Sequence, residues 1–464
     1  MKITKISVVD LFDTYTYTID LRQEKFVSII HAPNGYGKTT VFKLIRDVFN
    51  LNINELYEIP FRSFSIDLDD GHSISLIKSN SEKDIIDQDS IKTRIKITLN
   101  RKTENSFIFD GRIIKSLKDF IRHQRSPFIQ KAPLDDEDVI NVINQMIDFK
   151  KKIEIHFIET NRLYGNYNSE YNLIDIKNAY DTLSETGFRR RGPNASIELN
   201  ERINRYAFDL KRKIDQVKQE YSSFSESLDR TFPNRLVRSV NSKKEFYDER
   251  IIGEKLKELE SKRTDLEKIG FISKEINNTS LPSLNDSDAT LKRFYTLYID
   301  DTFSKLNHYN NIKEKIELFF DIINSKTSFS NKELLINSDG FVYFVPRVKN
   351  KNINREIELQ NLSSGEKHDF ILFYELIFNS DEKSIFLIDE PEISLHVAWQ
   401  VEYIKILEEI CKMNGIQAIV ATHSPDIVNG RDDLLISLGL EDDEDEKWLY
   451  ESPRSKAEII YDND

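Results

Sequence analysis

Cysteine is nearly absent, with Cys411 the single thiol in 464 residues. One thiol excludes a disulfide framework and any zinc site built on cysteines, and it fits a reducing compartment. Glycine and proline are scarce too, at 14 and 11 residues, which argues against low-complexity disorder and collagen-like repeats. Long hydrophobic runs are missing. The most apolar stretch, Phe370 to Phe378, is interrupted by Glu375 and falls well short of the ~20 residues of a membrane helix. Nothing after Met1 resembles the apolar core of a signal peptide, so the expectation is a cytoplasmic protein with no membrane partner. Excess positive charge is lacking as well. The formal net charge is −13, which excludes a generally basic nucleic-acid coat and leaves room only for a local patch. What remains, 39% hydrophobic and 31% charged, is an ordinary globular composition, long enough for about two to four domains.

Along the chain, ITKISVV and KFVSIIHA read as strands, and the second runs through a glycine-rich loop into VFKLIRDVFNL at helical spacing. FRSFSIDL, HSISLIKS, TRIKITLN and NSFIFDG alternate as antiparallel strands do, and IEIHFIE is a further strand. Helical periodicity then takes over. Leu199, Ile203, Tyr206, Leu210, Ile214 and Val217 form an apolar seam. Pro233 marks a polar break, after which Ile252, Leu256, Leu259, Leu266 and Ile269 resume a weaker seam. The pattern predicts an antiparallel hairpin with arms of ~35–40 Å. Strands return after Lys332 as ELLINS, FVYFVP and EIELQNL, followed by alternating helices and the buried strands SIFLIDE, IQAIVATHS and LLISLGL. The expected division is 1–165 and 331–440 as two parts of one α/β domain, 166–330 as a helical insert, and 441–464 as an acidic tail.

Four motifs carry chemistry. In Ala32-Pro33-Asn34-Gly35-Tyr36-Gly37-Lys38-Thr39-Thr40, small residues let backbone amides wrap phosphates, the lysine meets the β/γ-phosphates, and the hydroxyl meets Mg²⁺. Ala32 stands where the usual pattern has its first glycine, which an ordinary φ tolerates. In Ser384 to Glu392, four apolar residues end in adjacent acids, placing Asp389 and Glu390 at the tip of a buried strand, where open α/β sheets bind ligands. Asp389 suits Mg²⁺, and Glu390 suits the polarising of an attacking water. Leu362-Ser363-Ser364-Gly365-Glu366 precedes an amphipathic helix; a serine and free amides there make an anion site, and the same residues also spell an ordinary N-cap. Ala421-Thr422-His423-Ser424 closes the second buried strand, where a histidine could sense a γ-phosphate or simply be a satisfied structural residue.

The order of these motifs resembles the ABC-type ATPase head, in the branch that holds the SMC proteins, their zinc-hook repair relatives, RecF and the OLD-family ATPases. The run Asp389-Glu390-Pro391-Glu392-Ile393-Ser394-Leu395-His396 is similar to the OLD-like branch in particular. The resemblance implies a P-loop α/β head with an antiparallel β subdomain and an inserted helical or short coiled-coil hairpin. It implies ATP and Mg²⁺ as cofactors. Asn34, Gly35, Gly37, Lys38, Thr39 and Thr40 would bind the nucleotide, Thr39 and Asp389 the metal. Glu390 would be the base and His423 the switch, with Ser363 and Gly365 completing the site of a second copy in a head-to-tail homodimer or higher homo-oligomer. A glutamine loop is left open between Glu159-Thr160-Asn161-Arg162 and Gln130, and adenine stacking between Phe12 and Tyr15.

OLD-family enzymes append a nuclease to this head, whereas here the acidic run Glu441 to Glu446 reads as a solvated tail. The expected nuclease or toxin effector is therefore a separate chain. That arrangement resembles the ATPase subunits of two-gene anti-phage systems, the AriA subunit of PARIS by size and arm length before the PtuA subunit of Septu. The competing reading is a RecF-like or zinc-hook-like DNA clamp. Residues 187–218 carry nine Lys or Arg against four acids, a net +5, with Arg189, Arg190 and Arg191 the candidate DNA contact. A solvated helix face accounts for the same charges.

Overall fold

The computed structural model describes residues 1–21, 24–50, 52–80, 93–100, 105–109, 152–159, 195–241, 245–272, 289–337, 339–347, 356–395 and 397–438. Two compact units emerge, one from Met1–Arg189 with Ser380–Asp464, the other from Arg190–Asn379. The second unit thus takes in the stretch from Lys332 to Asn379, which the sequence reading groups with the ATPase head.

In the first unit, β1 (Ile3–Leu11), β2 (Tyr15–Asp20), β4 (Ser63–Leu68), β5 (Ser73–Asn80), β6 (Thr93–Asn100) and β7 (Asn105–Phe109) form an antiparallel sheet in the order β2-β1-β4-β5-β6-β7. Alternation sets its faces: Ile3, Ile6, Val8 and Leu11 of β1 are buried, and so are Phe64, Ile66 and Leu68 of β4. A second, parallel sheet has the order β13-β3-β12-β11-β8, from Leu435–Ser437, Val27–His31, Gln417–Thr422, Ser384–Asp389 and Glu154–Ile158. Every residue of β11 and β12 is buried, the pattern of strands covered on both faces. Helix α1 (Lys38–Asn50) packs Val41, Phe42, Leu44, Ile45 and Val48 into the shared core. The two sheets are joined by the buried Gln417, whose amide accepts from Ile3 N at 2.8 Å and donates to Ile3 O at 2.9 Å. The unit also carries the short α2 (Ile53–Glu58).

The second unit is mainly helical: α3 (Ala195–Val240), α4 (Glu249–Lys268), α5 (Ala289–Leu306), α6 (Asn310–Thr327) and α7 (Ser364–Phe378), with a β9–β10 hairpin (Lys332–Ile336, Val342–Pro346). Two expectations need correction. The first is the break at Pro233, because α3 runs straight through it for 46 residues, about 69 Å. Proline removes one backbone donor and crowds the carbonyl four residues back. Side chains brace the neighbouring turn: Thr231 Oγ1 donates to Ser227 O and Leu228 O, and Arg235 Nη2 donates to Leu228 O. The second concerns pairing. Arg235 meets Asp301 and Lys305 meets Asp229, so α5 lies antiparallel to α3, while Lys255 over Phe303 and Tyr247 on Asp300 set α4 beside α5. Among the described residues, α3, α4 and α5 thus pack as a three-helix arm. EIELQNL forms only one bridge, Phe344 to Ile357, and then a 3₁₀ turn at Leu359–Asn361 that buries Leu359.

Helix α7 sits in an aromatic nest. Phe319 of α6 meets Phe370, Tyr374 and Phe378 edge-on, with ring centroids 5.0, 6.1 and 5.6 Å away. Among the described residues, no helix is long and apolar enough to cross a membrane. Phe319→Ala should cost about 3–5 kcal/mol; urea unfolding followed by far-UV dichroism would show the loss, and an unchanged midpoint would refute the nest as the stabilising core of this unit.

Candidate functional site

The site is built where three parallel strands end. After β3 the chain turns through Ala32–Gly37 into α1. Gly35 and Gly37 have φ of +90° and +78°, the left-handed region that glycine alone enters freely. Gly37 is doubly constrained, since a Cβ there would lie 2.9 Å from Leu11 Cδ2. Ala32 keeps an ordinary φ, so the departure from the usual first glycine is harmless. Asn34 is exposed, and Thr40 half-buried, in the first turn of α1.

Lys38 is 5% exposed and its ammonium donates to Ala32 O at 2.6 Å and Pro33 O at 3.0 Å. It thus bridges the loop that a phosphate would enter. Burial holds this lysine below its ordinary range, against the pull of Glu390, Asp389 and Glu392. Thr39 Oγ1 donates to Asp389 Oδ2 at 2.7 Å. Glu390, the next residue, has φ +44° and ψ +60° although Pro391 follows, and the residue before a proline is driven away from helical backbone. A left-handed non-glycine residue costs about 1–2 kcal/mol. Its N–H, bonded to Ala421 O at 2.8 Å, holds the turn in place. Burial and the neighbouring Asp389 raise the Glu390 pKa.

Glu392 organises the far side of the site. Its Oε1 accepts from Thr422 Oγ1 at 2.7 Å and His423 N at 3.2 Å, and His423 Nδ1 lies 3.2 Å from the same oxygen and 3.8 Å from Glu390 Oε1. Gln400 of α8 (Val397–Asn414) donates to Glu392 O and Leu395 O and accepts from Ser424 Oγ. Sequence reading assigned no role to Glu392, Thr422 or Gln400. For Glu392 the signal was its place two residues after Glu390 at the end of the buried strand, whereas Gln400 had none. Glu159 binds Arg46 Nη1 at 3.1 Å, and the same guanidinium grips the fully buried Asp47. Thr160 to Arg162, Gln130, Arg189 to Arg191 and the acidic tail lie outside the described residues. Tyr15 is stacked with Tyr17 and Tyr36, whereas Phe12 stays 43% exposed beside Gly37.

The structure therefore brings Lys38, Thr39, Asp389, Glu390 and His423 together. Ser363 and Gly365 belong to the second unit. There Ser363 caps α7: its Oγ accepts from Glu366 N at 3.3 Å, and Glu366 Oε2 accepts from Ser363 N at 2.8 Å, a closed capping box. Lys332 and Ser330 hold the same carboxylate at 2.8 and 2.7 Å. Among the described residues, no cluster of three His, Cys, Asp or Glu side chains is set to hold a metal alone. A cation at Thr39 and Asp389 would need oxygens from a bound phosphate, as Mg²⁺ commonly does.

The family model for AAA ATPase domains matches residues 1–428. Among curated proteins, the Septu protein PtuA of Bacillus thuringiensis is 28% identical over 172 residues, spanning 33% of this chain and 39% of that protein. That relative is the Septu subunit, which size and arm length place after the AriA subunit of PARIS. Two solved structures are similar at lower identity. The Smc head domain with an extended coiled coil bound to the C-terminal domain of ScpA, from Pyrococcus furiosus, is 15% identical over 94% of this chain and 92% of that one, TM-score 0.33. The SmcHead bound to the C-winged helix domain of ScpA is 11% identical over 95% of each chain, TM-score 0.34.

Glu366 supplies a test of the capping box. Although burial opposes its charge, hydrogen bonds from Lys332, Ser330 and Ser363 N hold its pKa below the ordinary value. A depressed carboxylate stabilises above its unfolded pKa and loses that effect as pH falls through the folded one. Glu366→Ala should thus cost about 1 kcal/mol at neutral pH and nothing below the ordinary carboxylate range. A pH-independent difference in urea midpoint would contradict the box.

Proposed function

The chain belongs to the family of AAA ATPase domains, and from that premise we propose that it hydrolyses ATP with Mg²⁺ at the tips of β3, β11 and β12. The observation that carries the proposal is the 2.7 Å bond from Thr39 to Asp389, which places a hydroxyl and a carboxylate oxygen together beside the phosphate loop. Those two oxygens are the hard donors Mg²⁺ prefers, and the bound ion would neutralise charge between the β- and γ-phosphates. Lys38 would exchange the carbonyls of Ala32 and Pro33 for phosphate oxygens. The loop amides around Gly35 and Gly37 would wrap the phosphates. Glu390, its proton affinity raised, would orient water and take its proton. His423, held by Glu392, would face the γ-phosphate. Phe12 offers adenine the exposed ring.

The wider reading is a nucleotide-gated switch. Ser363 and Gly365 of one copy would complete the site of a second copy head-to-tail, pairing the heads with ATP and releasing them after hydrolysis. The relation to the Septu protein PtuA supports placement as the ATPase subunit of an anti-phage system that controls a separate nuclease. A RecF-like DNA clamp is the second reading; in its favour is the cation-rich face of α3 at Arg205, Arg212 and Lys213, with Arg189, Arg190 and Arg191 as further contacts.

Lys38→Ala should weaken ATP binding about a hundredfold by calorimetry, the ~3 kcal/mol scale of a charged hydrogen bond; undiminished affinity would sink the phosphate-loop assignment. Glu390→Gln should accumulate as a dimer with ATP and Mg²⁺ in sedimentation velocity. A monomer under those conditions would rule out the paired-head switch. Purified from its native host, the same variant should carry a stoichiometric nuclease, and recovery with only DNA or repair proteins would favour the clamp.

A further inference from the structure

The outward face of α3 holds chemistry that the ATP site does not use. Arg205, Phe208 and Arg212 recur three and four residues apart and so share one helix face. With Lys213, Tyr206, Asp209 and Asn379 they line a groove of about 450 Å³, within the size range of small-ligand sites. Phe208 is 63% exposed, so a phenyl ring stands open among cations. The charges are not balanced. Arg212 and Lys213 both turn to one carboxylate, Asp209, which also accepts from Tyr374 OH at 2.7 Å. Arg205 has no carboxylate partner among the described residues. Next to Lys213 stands Lys315 of α6, whose pKa is lowered by burial and by that neighbouring charge.

We propose that this groove binds one nucleotide unit, its base stacked on Phe208 and its phosphate held by Arg205, Arg212 and Lys213. An exposed ring flanked by arginines is the pairing that single-stranded nucleic acid uses, because every base has a π-face and every unit a phosphate. A free nucleotide carries the same chemistry. A duplex does not, since its bases are stacked inside. The groove also touches the helix that Ser363 caps: Tyr206 OH donates to Glu375, and Asp209 receives Tyr374, both on α7. A phosphate that draws Arg212 and Lys213 away from Asp209 acts directly on that contact. The site stands apart from the ATP-site reading.

The test uses full-length Lys38→Ala protein, in which nucleotide binding at the phosphate loop is weakened about a hundredfold, with ATP kept below the concentration at which that loop fills. Anisotropy titrations with a labelled single-stranded oligothymidylate, the matched duplex, and ATP as competitor are run over a range of salt. Phe208→Ala should weaken single-strand binding about tenfold with little change in salt slope. The double variant Arg205→Ala, Arg212→Ala should weaken it further and reduce the slope by about one unit. All three side chains are exposed, so dichroism should be unchanged. Competition by ATP identifies a free-nucleotide site, and its absence identifies a strand; either supports the groove. The proposal is overturned if the parent binds no probe at low salt. Variants that bind like the parent, or a duplex bound as tightly as the single strand regardless of Phe208, would overturn it equally.

Discussion

One hydrogen bond holds the account together, that from Thr39 Oγ1 to Asp389 Oδ2, between residues 350 positions apart in the chain. No local propensity could create it. It exists because β12 lies between β3 and β11 in a parallel sheet, with Ala421 opposite both Ile30 and Asp389. That register puts the loop after β3 and the acids ending β11 at one edge. In open α/β sheets the carboxyl ends of strands are where ligands collect. The buried Gln417, tied to both polar groups of Ile3, locks the antiparallel sheet to the same strand. A half-satisfied amide there would be costly, so the join between sheets is specific as well as tight.

Around that bond the polypeptide accepts strain and buried charge. Glu390 holds a left-handed backbone before a proline, and Lys38 is buried with its ammonium on its own loop. Such features persist only where surrounding structure over-determines them. Here the support is polar: Glu392 collects the Thr422 hydroxyl and both the ring and the backbone N–H of His423, and Gln400 pins the turn that carries Glu392. The second unit shows the same economy of means. The capping box at Ser363 fixes the start of α7, and two tyrosine–carboxylate contacts fix its middle to α3.

Much of this was legible in the amino-acid order. Continuous apolar runs such as SIFLID and QAIVAT announce strands covered on both faces, and the alternation of β1 and β4 announces a half-exposed sheet. Lys38, Thr39, Asp389, Glu390 and His423 were readable because each sits at the end of such a strand or at the start of the following helix. The rest was hidden for physical reasons. Proline at 233 reads as a stop because the local rule does not see the ion pairs Arg235–Asp301 and Lys305–Asp229 that hold this stretch of α3 against α5. The pairing of α3 with α5 depends on which faces meet in space, not on the strength of either seam. Gln400 supports the site from a helix whose other signals are all about packing. Ser363 was readable only as two things at once; its side chain makes the cap.

The central claim is that Thr39 and Asp389 act as one unit on the phosphate-bound metal. The most direct measurement is a double-mutant cycle, Thr39→Ala, Asp389→Asn and both together, read as affinity for Mg²⁺-ATP by calorimetry. Groups in contact should couple by about 0.5–3 kcal/mol, so the double variant should lose clearly less than the sum of the single losses. Strict additivity, or single variants that bind Mg²⁺-ATP as the parent does, would contradict the account.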